Sequence, residues 1–142
     1  MKSVIDSKTP LFSNEFVTCY SDYLIIHLYY FPFGNKKIKY NNIRLCELRL
    51  TDDISLLNYK LWGMALTPIW WHCDMSRLGR KYYILLDANQ WPLIGITMND
   101  NDIEYVYNLI KQKIYSNQSQ IYNEKLPYDS AKINQEKKVQ YQ

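Results

Sequence analysis

The chain has 142 residues, which is enough for one domain with a sizeable hydrophobic core. Hydrophobic residues make up 47% of it and aromatic residues 15%, a composition that excludes a wholly disordered chain. The formal net charge of +3 at pH 7 is far from the strongly basic character of dedicated nucleic-acid-binding proteins, so we expect no nucleic acid partner.

Most of the chain predicts β structure. Apolar runs, some continuous and some alternating with polar residues, are separated by turn residues at intervals of about 8–12 residues. The predicted strands cover residues 15–20, 23–31, 36–40, 43–50, 56–64, 69–74, 80–87 and 93–98. This spacing is typical of an antiparallel sandwich or barrel.

A helix follows the last predicted strand, because the apolar period changes there from two residues to 3.6. Asn99 is a suitable N-cap residue, and the acidic residues that follow it suit the positive end of a helix dipole. We expect a helix over residues 99–114, whose apolar face is formed by Ile103, Val106, Tyr107, Ile110 and Ile114.

These elements define a single predicted domain over residues 14–115. Residues 1–13 are predicted to be a flexible N-terminal segment. Residues 116–142 are rich in Gln, Asn, Lys and Ser and contain few apolar residues, which predicts a polar, disordered tail.

The cysteines and the lengths of the apolar runs indicate the cellular compartment in which the protein is expected. Cys19, Cys46 and Cys73 are odd in number and far apart, which favours a reducing compartment over a disulfide framework. With only two histidines as further ligands, we expect no metal and no other cofactor. The N-terminus lacks a signal-peptide core, and the longest apolar run is too short to cross a bilayer as a helix. We therefore expect a soluble, cytoplasmic protein.

The order of strands followed by one helix resembles a pleckstrin-homology (PH) domain, in particular the bacterial-type PH-like group. The segments that carry the resemblance are residues 23–26, 38–43, Gly63, Trp70-Trp71, 76–81 and 94–97 leading into the helix. The resemblance covers about residues 14–115. It implies a barrel of about seven antiparallel strands capped by the C-terminal helix, and a binding or scaffolding module that includes self-associating members.

One feature of lipid-binding PH domains is missing. Those domains place lysines and arginines around the loop between their first two strands. The corresponding loop here is Cys19-Tyr20-Ser21-Asp22, which has no basic residue. The resemblance therefore implies a binding module without the usual inositol-phosphate pocket.

Two adjacent tryptophans precede a basic, glycine-containing turn. Because neighbouring residues on a strand point to opposite faces, either Trp70 or Trp71 must be exposed or covered by another segment. Arg77, Arg80 and Lys81 surround Gly79, and such a turn either receives a phosphate or carboxylate or serves only as a hairpin. We expect Trp70 or Trp71, whichever is exposed, to form with Arg77, Arg80 and Lys81 an aromatic–basic surface that binds a partner protein or a second copy of the chain.

A peripheral membrane adaptor is the alternative function. Lys36 and Lys37, with Arg80 and Lys81, would then bind anionic lipid headgroups. Lysines on a short strand also serve simply to protect a sheet edge from aggregation.

An enzyme is the third class of function, and it is not expected. Cys73 and His72 are a possible nucleophile and base, but adjacent strand residues face opposite sides, so His72 would not activate the Cys73 thiol. The sequence therefore predicts a non-catalytic protein.

Overall fold

The computed structural model describes residues 8–54 and 60–125. Nine strands and one long helix lie in these ranges. They are β1 (Phe12–Ser13), β2 (Val17–Cys19), β3 (Tyr23–Ile26), β4 (Lys36–Lys39), β5 (Leu45–Leu50), β6 (Gly63–Met64), β7 (Ile69–Trp71), β8 (Tyr82–Asp87), β9 (Leu93–Ile96) and α1 (Asp100–Lys125).

The first four strands form an antiparallel sheet in chain order. Its inner face is set by alternation: Leu24 pairs with both Cys19 and Ile38, and all three side chains are buried. The lysines of β4 flank Ile38 on an edge strand of this sheet.

The predicted strand 23–31 ends early, at Ile26. Leu28 adopts a left-handed backbone with φ of 51°, which a strand does not tolerate, and Gly34 has φ of 117°. Residues 28–34 therefore leave the sheet as a loop, which we call the aromatic loop because it contains Tyr29, Tyr30, Phe31 and Phe33. Residues 23–31 are apolar on both sides of the point where β3 ends. Their composition therefore predicts a strand throughout, although the backbone changes direction after Ile26.

The second sheet has five strands in the order β5-β8-β9-β7-β6. Its neighbours are antiparallel except for β7 and β9, which run parallel with Trp70 opposite Ile94 and Trp71 opposite Gly95. The chain leaves β7, turns through residues 72–81, runs back along β8, and returns as β9 beside β7.

The main core lies between the two sheets and α1. Ile84, Leu86, Ile94 and Ile96 come from the second sheet, and α1 contacts β5 and β8. The predicted helical face is confirmed: Ile103, Val106 and Ile110 are fully buried, while Tyr107 and Ile114 pack at its margin.

The predicted fold class is confirmed in outline and wrong in three details. The protein is mainly β with one C-terminal helix. However, the sheets are not closed into a barrel, the described strands number nine rather than about seven, and β7 and β9 are parallel. Two of the strands, β1 and β6, have only two residues each, too few to produce an alternating sequence pattern.

Two elements lie wholly or partly outside residues 14–115, the predicted domain. The segment predicted as a flexible N-terminus contains β1, and α1 continues through Lys125, well past the predicted end near residue 114. The rest of the predicted tail, residues 126–142, lies outside the described residues, as do residues 1–7.

Candidate functional site

Trp71 lies on the face of the second sheet that is turned away from the main core. It is fully buried in a small cluster with Tyr83 and Leu85. Its indole lies directly on Gly95, since a Cβ there would sit 2.8 Å from Cη2 and closer still to two other ring atoms. Only glycine leaves room for the Trp71 ring at this position of β9.

Arg77 also packs on the Trp71 indole. Its guanidinium carbon is 4.9 Å from the centre of the Trp71 ring, and the residue has no exposed surface. The guanidinium donates to the carbonyl oxygens of Lys60 and His72, and its Nε–H donates to Thr97 Oγ1 over 3.2 Å. Arg77 thus ties three separate segments to Trp71.

Asp74 supplies the negative charge of this buried network. Its Oδ2 accepts a hydrogen bond from Thr97 Oγ1 at 2.6 Å, and it forms a salt bridge with Arg80, Nε to Oδ2, at 3.1 Å. Arg80 also donates to Asn99 Oδ1 at 3.0 Å, just before α1 begins. Burial alone would raise the pKa of Asp74, but hydrogen bonds from Arg80, Thr97 and the Ser76 N–H lower it, so the carboxylate stays ionised.

His72 is neutral and structural in this arrangement. Its Nε2 accepts the Thr97 backbone N–H at 3.0 Å, which leaves Nδ1 to donate to the Cys73 carbonyl oxygen at 3.1 Å. Burial, with the nearby Arg77 charge, lowers the pKa of His72 to about 3. The neighbouring Cys73 thiol is buried, and that burial raises its pKa. His72 and Cys73 therefore provide no base–nucleophile pair near neutral pH.

Trp70 points to the opposite side, as strand alternation predicts, and is half-buried there. Its Nε1–H donates to the Tyr29 carbonyl oxygen at 2.8 Å. The ring centres of Tyr29 and Tyr30 are 5.8 and 6.3 Å from that of Trp70. Of the two tryptophans, neither is simply exposed, because the aromatic loop covers Trp70 and the turn at Arg77 covers Trp71.

The largest exposed aromatic area of this region belongs to the aromatic loop and its neighbours. Phe33 is 86% exposed and Tyr30 46%, and Phe31 stacks on the half-exposed Trp62 with ring centres 4.6 Å apart. We call this the aromatic surface; its residues are Tyr30, Phe31, Phe33, Trp62 and Trp70. Lys36 lies at its edge, with its Nζ 3.4 Å from the Tyr30 hydroxyl and about 6 Å from two tyrosine rings.

The predicted site residues are thus divided among four places. Trp70 and Lys36 belong to the aromatic surface, whereas Trp71, Arg77 and Arg80 are held in the buried network. Lys37 is exposed over the Tyr23 ring on the other face of β4, and Lys81 is exposed over Tyr82 at the start of β8. A single aromatic–basic surface does not form, because the buried carbonyl oxygens and Asp74 draw the two arginines inward.

Sequence reasoning missed the aromatic surface because residues 28–31 were assigned to a strand. The Pro32-Phe33-Gly34 turn offered a signal, since a phenylalanine between Pro and Gly in a turn is seldom core. The contact between Phe31 and Trp62 joins residues far apart in the chain, so no local sequence pattern predicts it.

Comparison with known proteins gives no relative: no family model matches the chain, and no curated protein or solved structure matches it. The resemblance to PH domains therefore stays a prediction. Among residues 8–54 and 60–125, no helix is long and apolar enough to span a membrane, and no group of three or more metal-ligating side chains is found.

We expect stability to depend on pH through His72. Its pKa in the folded protein, about 3, lies below the ordinary value of 6.5, so the unfolded chain binds a proton that the folded chain excludes. The stability that neutral His72 contributes should be nearly complete above about pH 7.5 and should fall by about 3 kcal/mol on acidification to about pH 4.5. Urea unfolding measured across this range checks the slope.

Two variants show which histidine causes the pH dependence of stability. His72→Gln should lower stability at neutral pH and flatten the pH dependence. His27→Gln should keep most of it, since burial lowers the pKa of the less buried His27 as well but to a smaller extent. An unchanged slope in His72→Gln would show that another group is responsible.

Proposed function

We propose that this protein is a non-catalytic interaction module that binds protein through the aromatic surface. The observation that carries the proposal is the exposure of Phe33, 86%, at the tip of a loop whose other rings are fixed against Trp62 and Trp70. Contiguous exposed apolar side chains on a rigid base are typical of interaction sites.

Charge favours a second copy of the chain as the partner. The aromatic surface has Lys36 at its edge, whereas the first turns of α1 expose Asp100 and Glu104. Beside these acids lies Tyr105, which is 55% exposed and stacks on Phe12 with ring centres 5.2 Å apart. The aromatic surface and the start of α1 therefore have opposite charge, and both expose aromatic side chains that can pack on each other.

A contact between two different patches has a consequence for assembly. Each copy would use its aromatic surface on one neighbour and the start of α1 on the next. Such head-to-tail contacts produce closed rings or open filaments rather than simple dimers. The self-associating members of the bacterial-type PH-like group make the same kind of assembly an expectation of the resemblance.

Phe33→Ala should weaken self-association by about thirtyfold, since central aromatic residues contribute about 2 kcal/mol or more to an interface. Light scattering over a range of protein concentrations measures this. Tyr115→Ala is the matched control, because Tyr115 is 74% exposed on α1 and belongs to neither patch. A wild-type protein that stays monomeric at all concentrations, or equal weakening in both variants, would contradict the proposal.

A second function, binding to anionic membranes, is favoured by the charge distribution. Residues 23–46 contain Lys36, Lys37, Lys39 and Arg44 and no aspartate or glutamate. Exposed aromatic side chains beside lysines suit the interface between lipid headgroups and water. The same aromatic surface would then enter the headgroup region with β4 alongside.

Co-sedimentation with vesicles that contain phosphatidylserine tests this second function at low salt, where charge attraction is strongest. Replacing Lys37 and Lys39 by Gln should weaken binding by about thirtyfold, at about 1 kcal/mol for each lysine. The same replacement of Lys111 and Lys113 on α1 serves as the control. If the vesicles bind neither wild type nor variants, membrane binding is excluded and only protein binding remains.

A further inference from the structure

A cleft lies beside the connection between β8 and β9 and shares no residue with the aromatic surface. Its volume is about 390 Å³, within the range of about 300–1,000 Å³ that small-molecule sites occupy. The side chains that matter for its chemistry are those of Arg44, Asp87, Asn89, Gln90 and Trp91.

Trp91 gives the cleft an apolar wall. Its indole is 74% exposed, compared with 42% for Trp62 on the aromatic surface and none for Trp71. An indole held this far into solvent presents a flat apolar face of a size that a six-membered ring covers. The backbone of Trp91 lies between a left-handed turn at Asn89, with φ of 57°, and the start of β9 at Leu93.

An ion pair gives the cleft its polar wall and leaves it with little net charge. Arg44 Nη2 donates to both carboxylate oxygens of Asp87, at 3.2 and 3.3 Å, and the Asn89 N–H donates to Asp87 Oδ1 at 3.0 Å. These bonds orient the Asp87 carboxylate, while the Arg44 side chain stays 63% exposed and open to a ligand. The two charges compensate each other. An anion in the cleft would be repelled by Asp87, and a cation would be repelled by Arg44.

Hydrogen-bonding capacity remains on this wall. Within the part of the chain that the structure describes, Arg44 uses only Nη2, so its Nε–H and Nη1 donors are available. The side-chain amides of Asn89 and Gln90 likewise make no hydrogen bond to the described residues. Each amide offers both a donor and an acceptor.

We propose that this cleft binds a neutral saccharide. A pyranose ring has one face of C–H groups, which packs on an indole, and a rim of hydroxyl groups, each both donor and acceptor. The amides, the guanidinium and the carboxylate match that rim, and the absence of net charge matches a neutral ligand. The proposal is independent of the aromatic surface and of its partner.

The indole N–H signals of the four tryptophans, resolved by NMR, test it in the full-length protein. Maltotriose, cellotriose and triacetylchitotriose are the probes, and Trp91→Phe assigns the signal of Trp91. We expect at least one of the three sugars to shift the Trp91 signal and the Asn89 and Gln90 amide signals in a saturable way. Trp91→Ala should weaken that binding at least tenfold, whereas Trp62→Ala should bind as the wild type does.

Three results would overturn the proposal: no shift of the Trp91 signal with any of the three sugars at millimolar concentration, equal binding by Trp91→Ala, or saturable shifts with adenosine and not with a sugar. The last result would assign the cleft to a stacked nucleobase. Circular dichroism of Trp91→Ala verifies its fold, which the high exposure of Trp91 should leave intact.

Discussion

The packing of the Trp71 indole against both Gly95 and the Arg77 guanidinium is the constraint on which the rest of this structure depends. Parallel pairing of β7 with β9 puts Trp71 opposite Gly95, where the missing side chain makes room for the ring. Arg77 packs on the same ring and donates to the carbonyl oxygens of Lys60 and His72. The Trp71 ring thus joins β7, β9 and the segment that contains Arg77 at this end of the second sheet.

A fully buried arginine is tolerated only because its surroundings replace water. Carbonyl oxygens, the Thr97 hydroxyl and, through it, the Asp74 carboxylate stabilise the charge, and Arg80 extends the network to Asn99 at the start of α1. A lysine in place of Arg77 lacks the planar set of donors that reaches these directions together. The network explains why Arg77 is buried and Arg80 is turned toward Asp74, although the turn that carries them looks like an anion site in the sequence. Binding is consequently expected where aromatic side chains do reach solvent, at the aromatic loop.

The sequence predicted what depends on local periodicity and missed what depends on distant contacts. The face of α1 with Ile103, Val106 and Ile110, and the opposite orientation of Trp70 and Trp71, follow from the repeat lengths of helix and strand. The parallel β7–β9 pair and the burial of Arg77 depend on residues that meet only after folding. The early end of β3 depends on the left-handed backbone at Leu28, which an apolar residue does not signal. For the same reason the sequence placed function at the Trp71–Arg77 motif rather than at Phe33 and Trp62.

The most direct test of this account is the stability of Gly95→Ala against that of Gly79→Ala, measured by urea unfolding. A Cβ at residue 95 would overlap the Trp71 ring, whereas one at residue 79 meets no atom within 4 Å. The account predicts a loss of about 1–3 kcal/mol for Gly95→Ala, as for other overpacked cores, and little change or a small gain for Gly79→Ala. Equal stability of the two variants would contradict the central place given to Trp71.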